Sequence, residues 1–392
     1  MRIAIAYDCL FPWSKGGGER LYRRFAEEFV AAGHEVTYLT RLQWDDNAPA
    51  IDGVRVEVVS TDRELYDANG ARTLGPAINF GRGLFDHLRK NRDRYDAVFV
   101  SALPATNVLA VRAALVGTKV AVSVDWLEVW RPDQWREYSG QVMGRVASTI
   151  QRVTAGLSPI STCHSQLTAR RLRASGVKTE PMVSPGLIDL DEAVEPELTV
   201  RTPPRVVYVG RHIPDKRVES LPAAIAHARE RFPDLTATIF GDGPSRPTVL
   251  AEIERLGLGD VVSTPGFVSQ EELDNGIRTA ACLVNPSARE GYGLVVVESC
   301  AVGTPVVLVD GDDNAAVELI EDGVNGRLAK SVAPHELGAA IVDVVSAGEP
   351  LRKTTHAWFT EVSRTNTVTA TAKRILARLE EAVGRHSAAG LR

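Results

Sequence analysis

Two glutamates bracket a glycine-containing turn in the segment Asn285-Pro-Ser-Ala-Arg-Glu-Gly-Tyr-Gly-Leu-Val-Val-Val-Glu298. Glu290 precedes the turn, and Glu298 follows inside an apolar helix that begins near Leu294. The first N–H groups of such a helix have no partner and form a natural seat for phosphate. A carboxylate beside bound phosphate is repulsive unless it faces neutral hydroxyls, so we expect both glutamates to accept hydrogen bonds from sugar or ribose hydroxyl groups. The preference of helix N-termini for acidic residues explains one glutamate but not the pair.

Basic side chains form a second cluster, Val209-Gly210-Arg211-His-Ile-Pro-Asp-Lys216-Arg217, at the carboxyl end of a predicted strand. Ligands of open α/β sheets bind in the crevice at these strand ends. Arg211 offers a planar fork of donors for phosphate oxygens, and Lys216 offers a compact positive charge. Two cations beside a diphosphate would act electrostatically as Mg²⁺ does elsewhere, although a basic loop on its own is as often simply solvated.

Glycines form a third cluster, Lys15-Gly16-Gly17-Gly18-Glu19-Arg20, between the first predicted strand and the first predicted helix. They allow the backbone to approach a ligand closely, and a helix N-terminus follows at once. The segment is not a Walker loop, because no Gly-Lys-Ser/Thr follows. It is not the dinucleotide fingerprint either, because Leu21 holds the third glycine position.

Short runs with strand character alternate with longer helical patterns, which is typical of βαβ units around parallel sheets. The first helical pattern, Glu19–Ala32, is followed by Gly33, a residue suited to the C′ position of a helix. The predicted strands are Ile3–Tyr7, Val36–Leu39, Val54–Val59, Ala97–Val100, Val120–Val124, Val206–Gly210, Thr236–Gly241, Val261–Thr264, Ala281–Asn285 and Val306–Val309.

The alternation stops in an acidic, proline-bearing segment between Leu187 and Pro204, which suits a linker better than a core. We therefore predict an N-terminal α/β domain over 1–190, a linker over 191–204 and a second α/β domain over 205–366. A last helical pattern covers roughly Thr367–Val383 and is free to pack on either domain.

Composition excludes several classes of protein. The 392 residues are 44% hydrophobic and 24% charged with a formal net charge of −5, which is ordinary for a soluble globular protein and argues against a nucleic-acid binder. The cysteines (Cys9, Cys163, Cys282 and Cys300) are scattered, so neither a disulfide framework nor a thiolate zinc site is indicated. Neither a membrane-spanning run nor a signal peptide is present, so we expect a cytoplasmic protein.

Taken together, these residues resemble the retaining glycosyltransferases of family 4, the glycosyl transferases group 1. The resemblance spans nearly the whole chain and implies the α/β fold called GT-B, in which two facing Rossmann-like parallel-sheet domains enclose an active-site cleft. In the first half it rests on the glycine loop and Pro185-Gly-Leu-Ile-Asp189. In the second half it rests on Gly210-Arg211 with Lys216, Phe240-Gly241-Asp242-Gly243-Pro244, Gly266-Phe267-Val268, the pair Glu290 and Glu298, and Glu318-Leu-Ile-Glu-Asp-Gly-Val-Asn-Gly326.

The resemblance implies a nucleoside-diphosphate sugar donor on the C-terminal domain, a hydroxyl-bearing acceptor on the N-terminal domain and no metal. It also implies retention of anomeric configuration, with the leaving phosphate helping to deprotonate the acceptor, and a final helix, about 367–392, that packs back on the N-terminal domain. By the same resemblance, the diphosphate would be bound by Arg211, Lys216 and the N–H groups around Gly293 and Leu294. Glu298 would bind the ribose, backbone near Phe267 and Val268 would contact the base, and Glu290 would bind a hydroxyl of the donor sugar. Gly210 and Gly291 would make further donor contacts, and Gly16 and Gly17 would close over the phosphates.

One segment departs from the family. Its members usually carry a histidine after the Val120–Val124 strand, near the reacting end of the sugar, whereas Ser123-Val-Asp-Trp-Leu-Glu-Val-Trp130 has none. Asp125 or Leu127 occupies the place of that histidine. Asp125, together with Trp126 and Glu128, is therefore a candidate for sugar or acceptor contacts, with a structural role as the alternative for each.

Three further sequence features are weaker indicators of function. Asp189-Leu-Asp191 spells the D-x-D metal motif of another glycosyltransferase fold, but it lies in the predicted linker and we expect no metal there. The basic run Arg82–Arg94 could touch an anionic membrane surface, although a solvated helix with one apolar face is the favoured interpretation. The dipeptide Cys163-His164 has no other ligand-type residue beside it in the sequence.

The sequence therefore predicts a metal-independent retaining glycosyltransferase of the hexosyltransferase type that uses a UDP or GDP sugar. The alternatives are a nucleotide-sugar epimerase of similar fold and a non-catalytic sugar-nucleotide-binding protein. The acceptor class stays open between a saccharide, a lipid-linked sugar and a natural-product aglycone.

Overall fold

The computed structural model describes residues 1–14, 16–45, 50–61, 74–189 and 195–389. The chain divides into two compact units. Unit 1 takes the N-terminal part as far as Leu187 together with the C-terminal segment from Asn366, and unit 2 takes Ile188–Thr365. The sequence-based boundary at 190 lies a few residues beyond this division. Residues 195–204 of the predicted linker fall inside unit 2, and its residues 191–194 lie outside the described residues.

Unit 1 is built on a parallel sheet whose described strands follow the order β3-β2-β1-β4-β5-β6-β7. Helices cover both faces of such a sheet, which explains why β1 and β4 read as continuous apolar runs and are buried. The elements are β1 (Arg2–Ala6), α1 (Gly17–Ala31), β2 (Glu35–Arg41), β3 (Val54–Ser60), α2 (Leu74–Asn91), β4 (Ala97–Ser101), α3 (Thr106–Ala114), β5 (Ala121–Trp126), α4 (Pro132–Gly156), β6 (Ile160–Cys163), α5 (Gln166–Ala174) and β7 (Met182–Val183).

Unit 2 repeats the plan with a sheet of order β10-β9-β8-β11-β12-β13, again parallel between all neighbouring strands described. Its core joins the central strands to α6 and α10. The elements are β8 (Arg205–Val209), α6 (Leu221–Arg231), β9 (Thr236–Phe240), α7 (Arg246–Arg255), β10 (Val262–Gly266), α8 (Gln270–Arg278), β11 (Cys282–Asn285), α9 (Leu294–Ala301), β12 (Val306–Val309), β13 (Gly326–Ala329) and α10 (Pro334–Val362), after which α11 (Val368–Ala389) completes unit 1.

Helix α11 is held to unit 1 by polar contacts as well as by its apolar face. The hydroxyl of Thr371 donates to the carbonyl of Gly186 at 2.6 Å, and that of Thr369 donates to Glu28 on α1 at 2.7 Å. A Cβ on Gly186 would lie 2.4 Å from the carbonyl oxygen of Asn366, so only glycine permits this approach. These contacts tie the end of the chain to the first helix.

A buried arginine fixes the start of unit 2. Arg352 on α10 donates from Nε to the carbonyl of Glu197 at 2.6 Å, and its other nitrogens donate to the carbonyls of Ala280 and Arg278 and to the hydroxyl of Thr304. Burial lowers the pKa of Arg352 to about 10. Residues 195–204, part of the predicted linker, are therefore anchored to unit 2 through the carbonyl of Glu197.

The sequence-based elements agree with the structure to within a few residues. Val306–Val309 is matched to the residue, and Gly33, with φ of 86°, ends α1 as predicted. The ten predicted strands lie within two residues of their observed bounds, with β5 running to Trp126 instead of stopping at Val124. The main difference is that β6, β7 and β13 were not predicted. The four cysteines are free and buried. Among the described residues, none of the helices combines the length and apolar character that crossing a lipid bilayer requires.

Candidate functional site

The strand order of unit 2 reverses between β8 and β11, which are neighbours in the sheet although two strands separate them in sequence. They pair in parallel, with Val206 opposite Cys282, so both carboxyl ends lie at the same edge. The loops that begin at Gly210 and at Pro286 therefore meet there. This reversal point is where open α/β sheets bind ligands.

An ion pair joins the two loops. The Nζ atom of Lys216, in the loop after β8, lies 2.5 Å from Oε1 of Glu290, in the loop after β11. Their side chains are only 19% and 15% exposed. The same oxygen of Glu290 accepts hydrogen bonds from the hydroxyl of Ser287 at 2.9 Å and from Nδ2 of Asn285 at 3.2 Å. Two residues predicted to bind the donor are thus brought into direct contact.

The surroundings of Glu290 keep its carboxylate ionised. Burial by itself would raise the pKa of Glu290, but the positive charge of Lys216 and the hydrogen bonds from Lys216, Asn285 and Ser287 outweigh it and leave the pKa below its usual value. Glu290 is therefore a charged acceptor, fixed in place and suited to hydroxyl donors.

Asp215 and Arg217, the residues on either side of Lys216, also connect the loop after β8 to the loop after β11. The carbonyl of Asp215 accepts from the backbone N–H of Ala288 at 2.8 Å, and its carboxylate accepts from the guanidinium of Arg289 at 3.0 Å. Arg217 donates from Nε to the carbonyl of Pro286 at 2.7 Å. Three consecutive residues of one loop are thus bonded to the other, which fixes the position of the Lys216 ammonium group.

Glycines allow the loops after β8 and β9 to pack closely. A Cβ on Gly241, whose φ is 107°, would lie 2.0 Å from the carbonyl oxygen of Gly210. A Cβ on Gly210 would lie 2.6 Å from the Tyr208 hydroxyl, which itself donates to the carbonyl of Arg211 at 3.1 Å. The Arg211 side chain is exposed beside this packed backbone. Gly210 and Arg211 therefore lie at the predicted crevice.

The N-terminus of α9 points to the same edge of the sheet. Gly293 is the N-cap with φ of 99°, in the left-handed region, and a Cβ there would lie 2.7 Å from the Cβ of Ala316. Leu294 opens the helix, and the N–H of Val296 bonds back to the carbonyl of Gly293 at 3.0 Å. The N–H groups of Leu294 and Val295 lie before the start of the helical hydrogen-bond ladder. Gly291 lies in the turn before it, and Glu298 is half-buried one turn into the helix. These four predicted donor-binding residues are therefore adjacent to Glu290 along the chain.

Asn314 is a buried residue of the site that the sequence analysis missed. Its Nδ2 donates to the carbonyls of Ser287 and Val309, and its Oδ1 accepts from the N–H of Ala316. The backbone of Glu290 bonds to both neighbours of Asn314, accepting from Ala315 at 2.9 Å and donating to Asp313 at 3.2 Å. Asp215, Asn285 and Ser287 were quoted within the motifs but were given no role, because their contacts join segments distant in sequence.

Phe267 and Val268 follow β10, two strands from β8 on the same sheet edge. With strands spaced by roughly 5 Å, they lie about 10 Å from the Gly210 loop. Val268 is half-buried, and Phe267, 76% exposed, leaves its ring open to contacts. Their predicted contact with the base is compatible with this placement and stays a prediction.

The glycine loop of unit 1 lies at the carboxyl end of β1. Gly16 and Gly17 are exposed at the start of α1, while Lys15 of the same motif lies outside the described residues. Gly18 packs against Tyr7, whose ring stacks on Tyr22 with centroids 4.2 Å apart. The loop therefore has backbone groups available at a helix N-terminus, and its predicted role in phosphate binding stays a prediction.

Asp125, a candidate for sugar or acceptor contacts or for a structural role, has its carboxylate enclosed by unit 1. It lies within β5 and is fully buried, because β5 is covered on both faces. Its oxygens accept from the hydroxyls of Tyr22 at 2.8 Å and Thr162 at 2.5 Å, and Nε2 of His164 lies 3.1 Å away. In unit 1 this carboxylate joins α1, β5 and β6, and its predicted part in the reaction stays untested.

The imidazole of His164 lies beside the buried carboxylate of Asp125, a neighbour that the sequence around Cys163-His164 does not reveal. Besides Asp125, it contacts the Ser184 hydroxyl through Nδ1 at 3.1 Å. No sequence signal pointed to these contacts, because they join three separate strands. Trp126 is likewise buried in the core of unit 1, whereas Glu128 is exposed. Of the two roles considered for Trp126, its burial in the core therefore supports the structural one.

No group of three or more His, Cys, Asp or Glu side chains among the described residues is arranged to hold a metal ion. Asp191 of the D-x-D sequence lies outside the described residues. The run Arg82–Arg94 falls mostly on α2, whose Leu84 and Leu88 are buried, so the interpretation as a helix with one apolar face inward is confirmed.

Family models match both units. Residues 16–186 match the glycosyl transferase 4-like domain, and residues 191–357 match the glycosyl transferases group 1. The chain is 36% identical over 138 residues to alpha-D-kanosaminyltransferase of Streptomyces kanamyceticus, covering 35% of each protein. It is 35% identical over 156 residues to D-inositol 3-phosphate glycosyltransferase of Streptomyces griseus, covering 36% of this chain and 32% of the relative. These matches span about a third of the curated relatives' own length.

Solved structures match over nearly the full length. Sucrose-phosphate synthase from Thermosynechococcus elongatus gives a TM-score of 0.77 at 18% identity, covering 97% of this chain and 98% of that one. HepE of Anabaena, crystallised with UDP and glucose, gives 0.71 at 18% identity, covering 97% of this chain and 99% of that one. At such identities the likeness concerns the fold, and it confirms the predicted α/β class with two Rossmann-like sheets.

Proposed function

We propose that this chain, which belongs to the group 1 glycosyltransferases, moves a sugar from a nucleoside-diphosphate donor to a hydroxyl group of an acceptor with retention of anomeric configuration. The observation that carries the proposal is the Lys216–Glu290 pair at the β8–β11 reversal point of unit 2. It sets a cation and an ionised hydroxyl acceptor side by side where an open sheet binds its ligand.

The charges around the crevice suit a leaving diphosphate. Lys216 is held in place by the contacts between the loops after β8 and β11. The guanidinium of Arg211 is exposed in the same loop as Lys216, and the first N–H groups of α9 begin at Leu294. As the bond from sugar to phosphate breaks, negative charge grows on the diphosphate. Donors already in position stabilise that charge without reorganising. HepE, of the same fold, is a protein crystallised with UDP, which supports a nucleoside diphosphate as the ligand class.

Glu290 is assigned to a hydroxyl of the donor sugar. Its carboxylate already accepts from two neutral donors, Ser287 and Asn285, through the oxygen that also faces Lys216. A second oxygen remains for a sugar hydroxyl. Glu298, farther along α9, is assigned to the ribose. The acceptor is assigned to unit 1, and its class stays open.

Metal independence forms part of the proposal. Lys216 and Arg211 would carry the positive charge that a divalent ion supplies in other diphosphate sites. The test is sugar transfer in excess EDTA, with full activity expected. Loss of activity that manganese restores would contradict this part and leave the donor site itself standing.

The proposal is tested first by donor binding and then by transfer. A thermal-shift panel of UDP, GDP and their sugars is expected to select one base, since a ligand that binds only the folded state at 100 times its Kd stabilises it by about 2.7 kcal/mol. With the selected donor and a panel of hydroxyl acceptors, release of the nucleoside diphosphate should depend on the acceptor. Proton NMR of the product reports whether the anomeric configuration is retained.

Three results would contradict the proposal. Epimerisation of the donor without any acceptor would make the protein an isomerase. A donor that binds tightly while no acceptor or water ever releases its diphosphate would make it a sugar-nucleotide-binding protein. Failure of every nucleoside diphosphate to raise the melting temperature would overturn the donor site.

A further inference from the structure

Helix α4 of unit 1 exposes large apolar side chains along one face. The helix is kinked at Gly140, and beyond the kink Val142, Val146 and Val153 recur at helical spacing. Val142 is 73% exposed. The exposed apolar residues on or directly after α4 are Tyr138, Val142, Met143, Val146, Val153 and Leu157. We call these six residues the α4 face.

The orientation of α4 is fixed from its other side. Gln151 accepts from the backbone N–H of Trp130 at 3.0 Å and from the indole N–H of Trp135 at 3.1 Å, and its Nε2 donates to the carbonyl of Trp130 at 2.7 Å. Thr154 and Ala155 are buried beside it. Rotation of the helix would break these bonds, so the α4 face is held outward.

The charges along this part of the helix have one sign. Residues 138–157 contain Arg145 and Arg152 and no aspartate or glutamate. These two arginines lie seven residues apart, so they share one flank of the α4 face. Neither guanidinium forms an ion pair with any residue that the structure describes. The whole chain has a net charge of −5, so the excess of positive charge is a property of this segment and not of the chain as a whole.

We propose that the α4 face docks on an anionic lipid membrane surface. An interfacial helix lies with its apolar side chains in the boundary layer of the bilayer while arginines at its flank meet lipid phosphates. Each arginine near such a surface strengthens binding by about fivefold, which is 1 kcal/mol. Helix α2 also exposes Leu74 and Ile78, but the run Arg82–Arg94 is mixed in charge. It contains Asp86 and Asp93, and Arg82 pairs with Asp86 at 3.9 Å.

A second copy of the chain suits the α4 face less well. Two α4 helices packed antiparallel would bring the same flank of each together, so Arg145 and Arg152 of both copies would meet with no carboxylate on 138–157 of either. A lipid surface instead supplies the missing negative charge. The inference does not depend on the proposed sugar transfer, since it concerns a surface of unit 1 alone.

The test is flotation of the full chain with phosphatidylcholine vesicles prepared with and without phosphatidylglycerol. We expect binding to the vesicles that contain phosphatidylglycerol, weakened by high salt. The double variant V142E/V146E should lower vesicle affinity by about tenfold or more, because it places two charges in the apolar face. The double variant R145E/R152E should remove the preference for anionic vesicles.

The matched control is Val116→Glu, because Val116 is 71% exposed and lies outside α4. This variant should bind vesicles like the native chain, and circular dichroism with thermal melting verifies that all variants are folded. Absence of vesicle binding by the native chain at low salt would overturn the proposal, as would unchanged binding by folded V142E/V146E. A native dimer that V142E/V146E converts to a monomer, without vesicle binding, would assign the face to a second copy instead.

Discussion

The ammonium group of Lys216 lies 2.5 Å from the carboxylate of Glu290, although 74 residues separate them in the sequence. The contact exists because β8 and β11 are neighbours at the reversal point of the unit 2 sheet. It makes the two residues energetically interdependent, since the positive charge of Lys216 helps to lower the pKa of Glu290 and each side chain holds the other in place.

Replacing Lys216 by Met is expected to lower turnover by about 100-fold or more, because a fixed cation beside the leaving diphosphate is removed. It should also lower the free energy of unfolding by about 1–3 kcal/mol, since Glu290 keeps a buried carboxylate without its cation. Turnover and urea unfolding measure the two effects. Lys353→Met, at an exposed position of α10, is the control and should change neither. Near-normal turnover of folded Lys216→Met would remove this lysine from the mechanism.

Stability in acid should depend on Glu290. Its pKa is lower in the folded chain than the ordinary value of about 4.3, so below that value the unfolded chain binds more protons than the folded one. The stabilising contribution is therefore complete above the ordinary value and is lost as the pH falls through the lowered pKa. In urea unfolding between pH 7 and pH 3, the free energy of unfolding should fall less with decreasing pH in Glu290→Gln than in the native chain. Glu254→Gln, at an exposed position, should follow the native profile; equal profiles for all three would contradict the assignment.

Gly293→Ala should disturb the N-terminus of α9. The position has φ of 99°, and the added Cβ would lie 2.7 Å from Ala316, so we expect a loss of about 2–4 kcal/mol in unfolding free energy together with weaker binding of the nucleoside diphosphate. Gly311→Ala, in the loop after β12, meets nothing within 4 Å and is the matched control. Thermal melting with and without the diphosphate measures both effects. Equal behaviour of the two variants would show that the close contact at Gly293 is relieved without consequence.

Asp125→Asn should destabilise unit 1 by about 2–4 kcal/mol. The carboxylate accepts from Tyr22 and Thr162, and an amide group would turn one acceptor into a donor facing those hydroxyls. Burial and the charge of Asp125 raise the pKa of Tyr22 well above its ordinary value, so its hydroxyl keeps its proton and remains the donor in this pair. Glu128→Gln, an exposed candidate from the same segment, should leave stability unchanged. A stable Asp125→Asn variant without activity would instead favour a direct role in the reaction.

Local features of the fold could be predicted from the sequence because they depend on neighbours along the chain. Buried parallel strands read as short apolar runs, which is why Val306–Val309 and the nine other predicted strands are found close to their observed bounds, whereas β6, β7 and β13 were missed. The end of α1 follows from Gly33, whose φ of 86° suits the C′ position. The motifs around Gly210, Glu290 and Gly293 also predicted which loops lie at the crevice.

By itself, then, the sequence determined two α/β units, the positions of ten strands and the residue types available at the ends of those strands. Only the tertiary structure decided that Lys216 bonds to Glu290, that Asp125 is buried against Tyr22 and His164, and that one face of α4 is left exposed by the described residues. The reason is that strand order and helix packing bring together residues far apart in sequence. Burial and charge pairing at those contacts depend on that arrangement, and no periodicity in the sequence records it.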